Sequence, residues 1–149
     1  MTYEEKAVAL FMEGYNCAQA VFCAFADKMG MDEKLALRMA SPFGGGMGRL
    51  REVCGAVSGM FMVLGVLYGY DDPKDTVTKK EIYEKVQILA DRFQKENGSI
   101  ICRELLGLTE KRSIPTPSER TEEYYKVRPC AAKVASAARI LDEYLKEME

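Results

Sequence analysis

Five cysteines and no histidine set the possible chemistry of this 149-residue chain: Cys17, Cys23, Cys54, Cys102 and Cys130. Without imidazole, a Ser-His or Cys-His hydrolase is excluded, and so is any zinc site with histidine ligands. A c-type haem needs Cys-x-x-Cys-His and is excluded as well. Sulfur must therefore work with sulfur, carboxylates, Lys, Arg, Tyr or the backbone. There is no Cys-x-x-Cys, so the cysteines can act together only if the fold gathers them.

The most unusual neighbourhood is "REVCGAVSG", where Cys54 precedes Gly55, Ala56 and Gly59. Three readings stand side by side. Gly55 and Gly59, four apart, can open a groove for another helix. They can leave room beside Cys54 for a partner sulfur or an inorganic cluster. The glycines of "FGGGMG" (43–48) can offer amides to a phosphate, although no Gly-Lys-Ser/Thr follows.

The elements that must position these residues read as helices almost throughout. "TYEE" is a capping box on Thr2 and Glu5, opening a helix to about Glu13. Asn16 and Gln19 repeat the device for a helix from Cys17 to about Met29, stopped by Gly30. Asp32 caps a third helix through Ala40, ended by Pro42. After the glycine loop an apolar helix runs from around Arg51 to Tyr68. Thr78 and Glu81 form another capping box, and Ile82, Val86, Leu89 and Phe93 share one face of the helix that Asn97-Gly98 closes. Ser99 caps a short helix from Ile100 to Leu106, and prolines 115 and 117 keep the next stretch a loop. A short helical segment over Glu119 to Lys126 follows. Pro129 suits the first turn of a last helix. The expectation is an all-α, single-domain bundle of about six or seven helices over residues 1–149.

On this map Cys17, Cys102 and Cys130 fall in first helical turns, and Cys54 falls near the start of a fourth helix. Unpaired amides and the positive dipole end favour a negative sulfur there, which lowers a thiol pKa. Cys23 lies in the middle of its helix beside Phe22 and Phe25 and reads as an ordinary core residue. Four unrelated buried cysteines remain an alternative at this point.

The order Cys17 … Gly48-x5-Cys54-Gly55-Ala56-x-x-Gly59 … Cys102 … Cys130 resembles a family of small redox-active proteins known for a CGAxxG motif with three further cysteines. "NCAQAV", "FGGGMG", "GSIICRELLG" and "CAAKVASAARIL" carry the likeness along nearly the whole chain. Cys23 stands outside it. The domain is also similar to the part of certain dimeric cytochromes associated with an iron–sulfur centre. These resemblances imply a redox class and no substrate.

The expected site is then Cys17, Cys54, Cys102 and Cys130 converging in the bundle, with Gly55, Ala56 and Gly59 making room for a cofactor. The four sulfurs serve either thiol–disulfide and electron-transfer chemistry or the ligation of an iron–sulfur cluster or zinc. A helical binding or scaffold module, with Tyr124, Tyr125 and the 107–118 loop as its contact surface, is the reading from another class. A net charge of −2 speaks against a nucleic-acid partner. The longest apolar run, Met60 to Leu67, falls well short of the ~20 residues of a membrane span. The amino terminus lacks the basic start of a secretory signal, so a cytoplasmic protein with reduced thiols is expected. The redox partner stays unnamed, and a homodimer stays open.

Overall fold

A computed structural model describes the backbone of residues 1–149 and the side chains of all but 126 and 127. Its helical segments are α1 (Tyr3–Met12), α2 (Cys17–Ala24), α3 (Ala26–Met29), α4 (Glu33–Ala40), a 3-10 turn (Ser41–Phe43), α5 (Gly44–Met47), α6 (Gly55–Tyr68), α7 (Thr76–Asn97), α8 (Cys102–Leu105), α9 (Glu122–Val127) and α10 (Cys130–Glu147). The fold is all-α. α1, α2, α4, α6, α7 and α10 have eight or more residues each. Among the described residues no helix is long and apolar enough to cross a membrane.

The caps form much as the sequence dictates. Thr2 with Glu5 and Asn16 with Gln19 make complete capping boxes, and Asp32 accepts the Leu35 N–H at 3.0 Å. Gly30 and Gly98 end their helices in the left-handed conformation. α2 is the central element, packed on α1, α6 and α10. Phe11, Phe22, Phe25, Met60, Leu64 and Phe93 are fully buried in one continuous apolar cluster. Burying a side chain of this size contributes about 1.5–3 kcal/mol.

Several boundaries differ from expectation. The helix foreseen from Cys17 to Met29 breaks at Phe25 (φ −101°, ψ 12°). There the buried Phe25 ring stacks on Tyr3 with centroids 4.4 Å apart. The helix foreseen from Arg51 begins only at Gly55. Residues before it pair with the segment before α8: Val53 and Ile101 form an antiparallel bridge, Cys54 N–H donates to Ile100 O at 2.7 Å and Cys102 N–H to Glu52 O at 2.6 Å. Extended backbone satisfied in this way does not enter a helix. α8 begins at Cys102, with Ile101 as its cap residue. Ser99 instead accepts the Ile101 N–H and donates to Glu104. α7 starts at Thr76, capped by Asp75 rather than by the Thr78 box. Pro129 is the cap residue of α10, which leaves Cys130 as its first helical residue. α9 starts at Glu122 behind a Thr121 cap, later than foreseen; the side chain of its foreseen last residue, 126, lies outside the described residues.

α5 is a helix in hydrogen bonding only. From Gly45 to Arg51, residues Gly45, Gly46, Met47, Gly48, Arg49 and Arg51 all have φ between 59° and 68°. Met47, Arg49 and Arg51 carry side chains in this left-handed region, which costs roughly 1–2 kcal/mol per residue.

Candidate functional site

Four helix starts meet at one cavity of about 360 Å³. Cys17 opens α2, Cys102 opens α8, Cys130 opens α10, and Cys54 is the cap residue of α6. All four line the cavity, and Cys23 does not. Every cysteine is a free thiol. Glycine makes the meeting possible at two places. A Cβ on Gly46 would fall 2.5 Å from the Cys102 Cβ, and one on Gly59 would fall 2.8 Å from the Ala18 carbonyl oxygen. The first glycine lets α8 reach the cavity. The second lets α6 lie against the backbone of α2, so at Gly59 close packing is the operative reason. Gly55 borders both the cavity and the start of α2. Ala56 is fully buried and contributes its amide.

The electrostatics correct the expectation that a helix start lowers each thiol. Burial pushes Cys54 up to about 11, although the Ala56 and Val57 amides pull the other way. Those amides approach its sulfur without completing a capping hydrogen bond. Burial raises Cys102 too, against the opposing pull of Arg51. Cys17 is raised well above the ordinary range, first by its hydrogen bond to Cys130 and then by burial. It is half-buried by accessible area because it faces the cavity, yet protein atoms surround it at depth, and that depth sets its desolvation. Cys130 alone is lowered, to about 7. The Cys17 hydrogen bond is the largest cause, opposed by burial and reinforced by Arg128, Tyr124 and Arg120. The pair behaves as a unit that gives up one proton readily and holds the second. Arg128, Arg120 and the Tyr124 hydroxyl act on Cys130, which favours the negative charge there.

The cavity is cationic. Arg49, Arg51, Arg120, Arg128 and Lys133 line it, and no Asp or Glu among the described residues does. Arg51 is buried, and its Nη1 lies 3.6 Å from Cys102 Sγ. Arg120 donates to the Phe11 and Tyr15 carbonyls and stacks over the Phe11 ring at 4.3 Å. Sequence reasoning missed these arginines. The visible signals are the placement of Arg49 and Arg51 directly after the glycine loop and just before Cys54, and of Arg128 two residues before Cys130. Tyr124 and Tyr125 are half-buried against the apolar cluster, Tyr125 edge-on to Phe11 at 6.1 Å. Tyr124 also reaches the cavity, where burial and then the Cys130 charge push it up to about 12.

Among the described residues no three Cys, Asp or Glu side chains stand close enough to grip one metal ion. A zinc ion held by four thiolates would need these side chains to rearrange.

A family model described as "Putative redox-active protein (C_GCAxxG_C_C)" matches residues 15–144. The chain belongs to this family. Where the family's label is written Gly-Cys-Ala, this chain reads Cys54-Gly55-Ala56. Comparison with curated proteins and with solved structures gave no match. Membership supplies the class, a redox-active protein, and no substrate.

Proposed function

We propose that the protein is a dithiol redox domain spanning residues 1–149, in which Cys130 attacks and Cys17 resolves. The Cys130 thiolate attacks one sulfur of a substrate disulfide, and the other substrate sulfur leaves as a thiolate. Cys17 then loses its proton and attacks Cys130 Sγ, expelling the second substrate thiolate and closing a Cys17–Cys130 disulfide. Two electrons pass from the protein to the substrate, and a reducing thiol partner would restore the pair. Cys54 and Cys102, both held protonated, line the same cavity. Their neutrality keeps repulsion off the attacking thiolate. Such a protein would operate where thiols are kept reduced, as in cytoplasm.

The observation that carries this reading is that Cys17 and Cys130 line the same cavity, each at the first position of its helix, and act on each other's protons in opposite directions. An attacking thiol works best with a pKa near the ambient pH, and a resolving thiol must lie beside it. The test begins with fully reduced protein. It is exposed to 2-hydroxyethyl disulfide, its free thiols are alkylated, and its disulfide-linked peptides are mapped by mass spectrometry. A Cys17–Cys130 linkage is expected, abolished in Cys130→Ser and retained in Cys23→Ala. Linkages that form equally well in Cys130→Ser would overturn the assignment. Iron and sulfide in near-stoichiometric amounts after anaerobic purification would replace exchange with cluster ligation.

A further inference from the structure

The cations around the sulfurs have a pattern of their own. Their hydrogen bonds go to neutral acceptors. Arg49 Nε donates to Ile114 O at 2.7 Å and its Nη1 to Ser118 Oγ at 3.4 Å. Arg51 Nε donates to Ser113 Oγ at 2.9 Å. Arg120 bonds the Phe11 and Tyr15 carbonyls at 3.0 and 2.9 Å. Lys133 bonds the Asn97 side-chain oxygen at 3.1 Å. None of the five lining cations belongs to an ion pair among the described residues. Two carboxylates act at one remove: Glu110 accepts from the Ser113 hydroxyl at 3.1 Å, and Glu96 is near enough to feel Lys133. Arg49 holds its proton less tightly than usual, first through burial and then through the charges of Arg51 and Arg128. Like charges crowded at one wall with no carboxylate between them are relieved by an incoming anion.

The rest of the lining limits what that anion can be. Leu105, Leu106, Pro115 and Pro117 give the cavity an apolar side. Its volume of about 360 Å³ suits a small molecule, since ligand pockets run from about 300 to 1,000 Å³.

We propose that the cavity selects small disulfides bearing carboxylates on short apolar arms, over neutral or cationic disulfides. This rests on the exchange reading above. The carboxylates meet the guanidinium groups, the methylene arms lie on the leucines and prolines, and the S–S bond faces Cys130. The same cations stabilise the thiolate that leaves when Cys130 attacks. Electrons and atoms balance as in the exchange already described: the substrate S–S bond breaks, a protein S–S bond forms, and two substrate thiols depart.

The test measures the rate at which reduced full-length protein reacts with 3,3′-dithiodipropionate (anionic), 2-hydroxyethyl disulfide (neutral) and cystamine (cationic). Each rate is divided by that of free mercaptoethanol with the same disulfide, which removes intrinsic reactivity. At low salt the normalised rates should fall in that order, with about tenfold or more between anionic and neutral. The gap should narrow in 0.5 M sodium chloride, where screening acts within about 3–5 Å. Arg49→Gln should narrow the anionic-to-neutral ratio and Arg49→Lys should restore it. Equal normalised rates, or a preference for cystamine, would overturn the inference and leave the exchange reading standing. If no disulfide reacts, or if Cys130→Ser reacts as the wild type does, the exchange reading falls and this inference with it. Should the arginine variants fail to fold, the salt dependence of the wild type still decides.

Discussion

Cys23 and Cys130 are the same residue type in two regions of one molecule, and their protons behave oppositely. Cys23 sits within α2 between Phe22 and Ala24, in the apolar cluster that joins α2 to its neighbours. Burial pushes it up to about 11, and Glu33 adds to the rise. Cys130 is also desolvated, yet it falls to about 7 because a donor thiol and two guanidinium groups act on it. The contrast shows that a helix start is not sufficient. Cys17 and Cys102 are first helical residues like Cys130, and both are raised. Partial charges at a helix end are worth about 0.3–1 kcal/mol, which is less than the cost of burying a thiolate without a partner. A specific donor decides the outcome.

The largest expected effect follows directly. Alkylation of each cysteine by iodoacetamide, followed across pH by peptide mass spectrometry, should show Cys130 half-reactive near pH 7. A lowered pKa means that its thiolate persists down to neutral pH and is lost below it. Cys23, raised to about 11, should gain rate through the whole alkaline range. At pH 7 the thiolate fractions differ by about 10³–10⁴. Removing the donor sharpens the comparison. Cys17→Ala should move the Cys130 half-point upward by about one pH unit or more, a tenfold loss of thiolate near pH 6. A Cys130 profile identical in this variant would remove the donor thiol from the account.

How much of this was legible in the residues depends on whether the signal was local. The Asn16–Gln19 capping box and the Gly98 stop are read from neighbours in sequence, because a cap is satisfied within a few residues. The set Cys17, Cys54, Cys102 and Cys130 was legible as a pattern, and the fold lines one cavity with all four. Their protonation was not legible. It depends on Arg51 reaching Cys102 and on Cys17 and Arg120 reaching Cys130 from other parts of the chain; of the groups that act on Cys130, Arg128, two residues before it, is the local one. The late start of α6 escaped for the same reason, since its cause is a pairing between Val53 and Ile101.

Glycines divide along the same line. Gly59 belongs to the core, where a Cβ would press on the Ala18 carbonyl oxygen at 2.8 Å. Gly48 belongs to the loop beside the cavity, has φ 59°, and leaves 3.7 Å to the Pro42 carbonyl oxygen. Gly59→Ala must therefore push α6 off α2, at about 1–3 kcal/mol for overpacking. Gly48→Ala has space and meets only left-handed strain, about 1–2 kcal/mol. Thermal melts should show the larger drop for Gly59→Ala, at about 2–4 °C per kcal/mol in a chain of this size. The Cys130 titration should also shift in Gly59→Ala, because α2 carries Cys17 at its first position. An unchanged melting temperature for Gly59→Ala would mean that the two helices have slack between them.

The smallest effect concerns the residue where the two regions join. Asn16 accepts the Gln19 N–H at 2.9 Å and so caps α2, while its own amide donates to the Ser41 carbonyl at 3.0 Å. It thereby ties the start of the core helix to the turn that leads into the glycine loop. Asn16→Ala removes both bonds, and loss of such a cap costs about 1 kcal/mol. Asn16→Asp keeps the acceptor, gains favour from the dipole at the helix start, and loses only the donation to Ser41. Urea unfolding should rank the wild type first, Asn16→Asp second and Asn16→Ala last, with the whole range within about 1–2 kcal/mol. If Asn16→Ala instead matches the wild type, packing alone fixes the first turn of α2, and Cys17 owes its place to the apolar cluster rather than to its cap.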